Sequence, residues 1–133
     1  CWMLLVNDLC KQIVEHQKMK LNTNGKQLRN FITITDVCGV VNLFIELNFK
    51  SDENTIFNVG NKTISIIEMA NIIQKRCKLI LGFLPELEIK KKENIEFENF
   101  QYKTDKLDSI GFKSQISYEK EIDDLLIFCK NHF

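Results

Sequence analysis

Three features of this sequence predict a mixed α/β fold. Apolar residues recur at helical spacing in several segments, beginning with residues 3–16. The run Phe31-Ile32-Thr33-Ile34-Thr35 is β-branched and aromatic and reads as a strand. Ser65-Ile66-Ile67-Glu68 has the spacing of a capping box, in which the Ser and Glu side chains satisfy each other's terminal amide donors. The chain of 133 residues suffices for one domain, and 44% hydrophobic with 27% charged residues is the composition of an ordered globular chain.

Leu4, Leu5, Leu9, Ile13 and Val14 define one face of a first amphipathic helix. Residues 19–23 alternate loosely, and Asn24-Gly25 is a turn signal. After the strand at 31–35, Asp36 stands where an N-cap belongs, ahead of a helix over 37–47. Residues 51–55 are a polar connection. The short apolar run 56–59, ended by Gly60-Asn61, reads as a buried strand. The helix opened by Ser65 runs to about residue 78, with Ile67, Ala70, Ile73 and Cys77 as its apolar stripe. Short strands are expected at 87–89 and 95–97, with a charged turn over 90–93. Thr104-Asp105 can cap a short helix ending at Gly111, a left-handed stop. Ser117 caps a last helix with Ile122, Leu125, Leu126 and Cys129 on its buried side.

Composition excludes several function classes. Lys+Arg and Asp+Glu balance at 18 each, so there is no basic excess to neutralise a nucleic acid backbone. No apolar run approaches the ~18–20 residues a membrane span needs. The five cysteines, Cys1, Cys10, Cys38, Cys77 and Cys129, are widely spaced, without a CxxC. Cys10, Cys38, Cys77 and Cys129 fall in apolar helical patterns, which reads as buried free thiols in a reducing cytoplasm. Cys129 and His132 alone do not make a metal site. The run Lys90-Lys91-Lys92 is flanked by glutamates and reads as a solvated turn.

Signatures of chemistry are few. No G-x-S-x-G, H-E-x-x-H, G-x-G-x-x-G or phosphate-binding G-x-x-x-x-G-K-[ST] occurs. Tyr102 and Lys106 have the Tyr-x-x-x-Lys spacing of a dehydrogenase pair. That chemistry needs both on one helix face, and Thr104 reads as a cap between them.

The stretch from Asn24-Gly25-Lys26-Gln27-Leu28-Arg29-Asn30-Phe31 to Asp36-Val37 resembles the "G-x-Q-x-R-D-F-x-x-V-x-D-V" segment of NAD(P)-dependent nucleotide-sugar epimerases and dehydratases, the extended short-chain dehydrogenase/reductase family. Ile56-Phe57-Asn58-Val59-Gly60 is similar to that family's "Y-N-[IL]-G", and Ser65-Ile66-Ile67-Glu68-Met69-Ala70 to its "S-[VI]-x-E-[VIL]-[AV]". Residues 102–112, with Ile110-Gly111-Phe112, resemble its closing "L-G-[WF]" region. Asn30 departs from the family's usual Asp, and no clear match to a later family arginine occurs in 95–101.

The resemblance implies the C-terminal part of a Rossmann-type extended short-chain dehydrogenase, with a small mixed α/β substrate-binding domain. Residues 1–133 would be that substrate-binding portion, with 56–59 a strand of an otherwise missing nucleotide-binding sheet. Cys1 is then read as a cut inside a longer chain; a lipid-modified cysteine would lead into a polar tether, not into Trp2-Met3-Leu4-Leu5-Val6. The resemblance also implies NAD or NADP as cofactor of a full-length, homodimeric parent that oxidises a sugar carbon by hydride transfer. No cofactor, catalytic or metal residue is expected in this chain alone. Arg29 matches the arginine that contacts the nucleotide-sugar diphosphate, and Asn58 matches an asparagine that reaches the same nucleotide. The competing reading is a non-catalytic binding or interaction module derived from the family. On the first reading, residues 56–59 and the 37–47 helix should expose apolar surface.

Overall fold

The computed structural model describes residues 1–47, 56–90, 101–114 and 117–133. The strand expected at 95–97, the 51–55 connection and most of the 90–93 turn lie outside the described residues. The described elements are α1 (Leu5–His16), β1 (Lys18–Leu21), β2 (Leu28–Phe31), α2 (Ile34–Glu46), β3 (Lys62–Ser65), α3 (Ile66–Leu81), β4 (Glu86–Ile89), α4 (Asp105–Ser109) and α5 (Tyr118–His132).

Two small sheets organise them. β1 pairs with β4 in parallel, Met19 opposite Leu87 and Leu21 opposite Ile89. β2 pairs with β3 antiparallel, Arg29 opposite Ile64 and Phe31 opposite Lys62. The Asn24-Gly25 turn is therefore not a hairpin, because it joins strands of different sheets. Gly25 adopts φ +72°, and a Cβ there would strike Ile67. Its carbonyl accepts from Ile67 N at 2.9 Å, and that of Gln27 accepts from Ile66 N at 3.0 Å. The loop thus satisfies two of the orphan amides at the start of α3.

The core lies where α1, α3 and α5 pack together against β1. Leu9, Ile13, Met19, Ala70, Ile73, Leu126 and Cys129 are fully or almost fully buried there. Two four-residue parallel strands bury little by themselves, so the three amphipathic helices supply most of the apolar burial. Arg76 of α3 and Asp123 of α5 add a bidentate ion pair across the helix interface, with Nε 2.7 Å from Oδ1.

The capping box at Ser65 forms as expected. Glu68 N donates to Ser65 Oγ at 3.2 Å, and Ser65 N donates to Glu68 Oε2 at 2.8 Å. The Ser65 hydroxyl and then its backbone N–H hold the Glu68 carboxyl below the usual carboxylate range. α3 ends at Gly82, φ +84°, one turn later than expected. Gly111 is left-handed just past α4, as expected. Ser117 holds the N-cap position of α5 but makes no side-chain bond to the helix backbone.

Two expectations fail at α2. The strand read at 31–35 ends at Phe31, and Ile34 and Thr35 already belong to the helix. The N-cap is Thr33, whose hydroxyl accepts from Asp36 N at 2.9 Å, and not Asp36. Glu121 of α5 explains why two β-branched residues enter a helix. Its carboxylate accepts from Ile34 N at 3.0 Å and Thr35 N at 2.9 Å, so tertiary capping overrides local strand propensity. Cys38 is exposed, against the expectation of a buried thiol. The buried residues of α2 are Asp36 and Val40. Cys38, two residues from each, is turned about 200° away from both.

Residues 56–60, expected as a strand over 56–59, form no strand among the described residues. Ile56 is 77% exposed, while Gly60 is buried. Among the described residues no helix is long and apolar enough to cross a membrane.

Cys10, Cys77 and Cys129 are each fully buried. Burial raises the Cys77 thiol to about 11 and also raises Cys129. Cys10 is raised by burial first, then by the neighbouring Cys129 and Cys77. Their raised values mean that the folded chain keeps them protonated where the unfolded chain ionises. The stability they protect is full below pH 9 and falls as pH rises toward 11 and beyond. Melting temperature followed by circular dichroism should therefore drop steeply from pH 9 to 11, and Cys77→Ala should flatten that slope. Separately, Glu121→Ala should cost about 1 kcal/mol and speed hydrogen exchange at the Ile34 and Thr35 amides; unchanged exchange would show that α2 does not need this cap.

Candidate functional site

The two residues singled out for substrate lie on different elements. Arg29 is the second residue of β2 and is exposed. Its Nη1 donates to its neighbour's carbonyl, Leu28 O, at 3.0 Å, and Nη2 donates to Gln27 Oε1 at 3.0 Å. Both acceptors are neutral. Among the described residues Arg29 enters no ion pair. Its guanidinium is thus oriented while its charge stays uncompensated, the condition in which an arginine fork receives an anionic group.

Asn58 is exposed and donates from Nδ2 to Lys103 O at 3.1 Å. That bond fastens residues 56–61, which run as a strap over the 102–106 segment. Lys106 Nζ reaches Ile56 O at 3.4 Å, and Tyr102 OH donates to Val59 O at 3.2 Å. Tyr102 precedes the Thr104 N-cap of α4, so Tyr102 and Lys106 serve different carbonyls and share no helix face. Arg29 and Asn58 have no hydrogen-bond partner in common, so the structure does not join them directly.

A polar relay, not singled out from sequence, connects the strap to α2. Asn30 Nδ2 donates to Asn61 O at 3.2 Å and to Thr63 Oγ1 at 3.1 Å, while its Oδ1 accepts from Asn61 N at 3.0 Å. Asn61 Nδ2 donates to Ser114 Oγ at 2.8 Å, and Ser114 Oγ donates to Asp36 Oδ2 at 2.6 Å. Residue 30 must both donate and accept here. An amide does both, whereas a carboxylate only accepts, so asparagine suits this position. The available signal was Asn61 directly after Gly60, but no local pattern reveals a partner 31 residues away.

Gly60 is required by close approach. A Cβ there would stand closer to Asn30 Oδ1 and to the Tyr102 ring than real Cβ atoms do. Beside this relay, a cavity of about 520 Å³ lies between α2 and residues 111–113, with Asp36, Asn42 and Phe112 on its wall. An apolar cavity of about 700 Å³ lies between the start of α2, the start of α1 and α5. Neither cavity is lined by Arg29 or Asn58.

Among the described residues no set fits a dinucleotide cofactor. The left-handed glycines Gly25, Gly82 and Gly111 stand apart, at a loop and two helix ends. The strand-to-helix junction from β3 to α3 holds a Ser–Glu capping box instead of a glycine-rich turn open to phosphate. Among the described residues no cluster of His, Cys, Asp or Glu can hold a metal ion. His132 stacks on Phe128, ring centroids 3.9 Å apart, while Cys129 faces the core.

No protein-family model and no curated protein sequence matches this chain. Solved structures match it over nearly its full length. UDP-glucuronic acid 4-epimerase from Bacillus cereus, in complex with UDP-glucuronic acid and NAD, is matched over 99% of this chain and 41% of its own, with TM-score 0.74 and 18% identity. RMD from Pseudomonas aeruginosa complexed with NADPH is matched over 100% of this chain and 44% of its own, with TM-score 0.76 and 15% identity. TunA, an NAD-dependent NDP-hexosamine 5,6-dehydratase, gives 98% and 41%, TM-score 0.71 and 22% identity. The chain therefore has the fold of one part of the Rossmann-type extended short-chain dehydrogenases that include nucleotide-sugar epimerases and dehydratases. It spans about two fifths of the length of those proteins.

The relay makes one local demand that can be measured. Gly60→Ala is expected to destabilise the chain by about 1–3 kcal/mol through overpacking against Asn30 and Tyr102. Asn30→Asp should destabilise it less, by losing the two donated bonds. Thermal melts of both variants check this ranking; an unaffected Gly60→Ala protein would mean that the strap is not tightly held.

Proposed function

We propose that this chain is the C-terminal, substrate-binding portion of an NAD(P)-dependent nucleotide-sugar epimerase or dehydratase. The observation that carries this reading is the coincidence of the entire chain with a single part of such enzymes, one of them holding UDP-glucuronic acid and NAD. Arg29 supplies the diphosphate contact. Its fork is held by neutral groups and keeps unspent charge, so an entering diphosphate meets an oriented donor with no carboxylate to displace. Asn58 is the second substrate residue. It lies in the middle of the strap that Asn30 and Tyr102 hold in place, with its Nδ2 on Lys103 O.

The chain contributes binding and orientation, and the redox chemistry belongs to a cofactor bound by the other portion. Residues 56–59 are the strand by which this portion joins that sheet. Their backbone groups find no ladder partner among the described residues, where the Ile56 and Val59 carbonyls accept from the Lys106 and Tyr102 side chains instead.

Titration of the chain with UDP- and dTDP-sugars tests the assignment. Arg29→Ala should weaken binding by about 10- to 100-fold, the loss of about 1.5–3 kcal/mol typical of hydrogen bonds to a charged group. Arg29→Lys should recover little, because a point charge does not replace a fork. Affinity that is identical in Arg29→Ala would remove Arg29 from the site.

A further inference from the structure

Two acceptors hold the Arg29 fork, and one of them is a side chain. Nη1 donates to Leu28 O and Nη2 donates to Gln27 Oε1, each at 3.0 Å. An arginine has no acceptor, so the glutamine must offer it the amide oxygen and not the nitrogen. The backbone under Gln27 is fixed from several sides. Gln27 O accepts from Ile66 N at 3.0 Å, which extends the antiparallel ladder one step beyond the Leu28–Ser65 pair. Gln27 and Arg29 therefore stand at i and i+2 of extended backbone, where side chains share a face. Just upstream, Thr23 Oγ1 accepts from Gly25 N at 3.3 Å and Asn24 Oδ1 from Lys26 N at 3.1 Å. Gln27 is half-buried while Arg29 is exposed, so the acceptor is the better anchored of the two.

We propose that Gln27 is the positioning residue of the diphosphate site: it holds the Arg29 guanidinium through an uncharged acceptor and leaves the full cationic charge for the ligand. The inference rests on reading Arg29 as the diphosphate contact. An arginine without a partner samples many rotamers, and a ligand that fixes it loses that entropy from its affinity. A glutamate at position 27 would order the fork too, but as an ion pair. An entering diphosphate would then compete with a carboxylate for the same donors and be repelled by it. Glutamine orders the fork without either cost. Its bonded oxygen is itself an acceptor, so it cannot receive a phosphate oxygen; Gln27 acts on the ligand through Arg29.

Calorimetric titration of the 133-residue chain with UDP-glucuronic acid, paired with NMR of the Arg29 side chain in the free protein, tests this. Gln27→Met keeps the side-chain length and the backbone bond to Ile66 while removing the acceptor, so its melting temperature should stay unchanged. Its affinity should fall about 3- to 10-fold, the range of one neutral hydrogen bond. Its Arg29 Nε–Hε heteronuclear NOE should drop toward that of a mobile side chain, while Arg76, bonded to Asp123, keeps its value. In an Arg29→Ala background, Gln27→Met should cost nothing more. Gln27→Glu should keep the NOE yet bind more weakly than Gln27→Met at about 0.01 M salt, where the Debye length is about 30 Å. That gap should close at about 1 M, where it is about 3 Å. A Gln27→Met loss that persists without Arg29 overturns the proposal, because Gln27 then acts on the ligand or the fold directly. So does a Gln27→Glu protein that binds as tightly as the parent at low salt, or an unchanged NOE in Gln27→Met. A lowered NOE in Gln27→Met together with unaltered affinity in Arg29→Ala would sink the diphosphate assignment and leave the hold of Gln27 on Arg29 standing.

Discussion

The first turn of α2 is the constraint on which the arrangement of this molecule depends. Its orphan amides are satisfied by groups from separate parts of the chain: the Thr33 hydroxyl just before the helix and the Glu121 carboxylate from α5. The side chain of Asp36 in the same turn accepts from Ser114. Along the rest of α2 only Val40 is buried among the described residues. Fixing one end of such a helix sets its direction, and with it the position of Asp36. Through Ser114 and Asn61 the same turn is tied to the 56–61 strap and to the end of β2, next to Arg29. The helical core of α1, α3 and α5 gives the molecule its stability, while the α2 turn gives the site its geometry.

How much was legible in the sequence follows the range of the interactions. The Ser65 capping box, the Gly111 stop, the β4 strand and the amphipathic faces of α1, α3 and α5 are local patterns, and each appears where the residues put it. What failed was decided over long range. Residues 33–35 are β-branched and look like a strand, but Glu121, 86 residues from Thr35, turns them into a helix start. Cys38 is exposed because it stands about 200° around α2 from the buried Asp36 and Val40, a face that packing between distant segments selects. The pairing of β1 with β4 and of β2 with β3 likewise joins distant segments that no local motif connects.

The site divides in the same way. Arg29 was singled out through a motif; its guanidinium is oriented by neutral acceptors and enters no ion pair among the described residues. Asn30 both donates to and accepts from the Asn61 backbone, a dual role that an amide fills and a carboxylate does not. Asn61 and Ser114 were invisible because single polar residues in loops carry no periodic signal. Among the described residues no glycine-rich phosphate cradle stands at a strand-to-helix junction, and the fold match spans two fifths of each larger protein.

The central claim, that Arg29 receives a nucleotide-sugar diphosphate, is most directly tested by nitrogen–proton correlation NMR of the arginine side chains during titration with UDP-glucuronic acid. The account predicts that the Arg29 Nε–Hε resonance shifts saturably, together with both phosphorus resonances of the ligand, while that of Arg76, engaged with Asp123, stays in place. Phosphorus shifts with a motionless Arg29 would contradict it, as would an Arg29 signal that responds no differently to UDP-glucuronic acid than to an equal ionic strength of chloride.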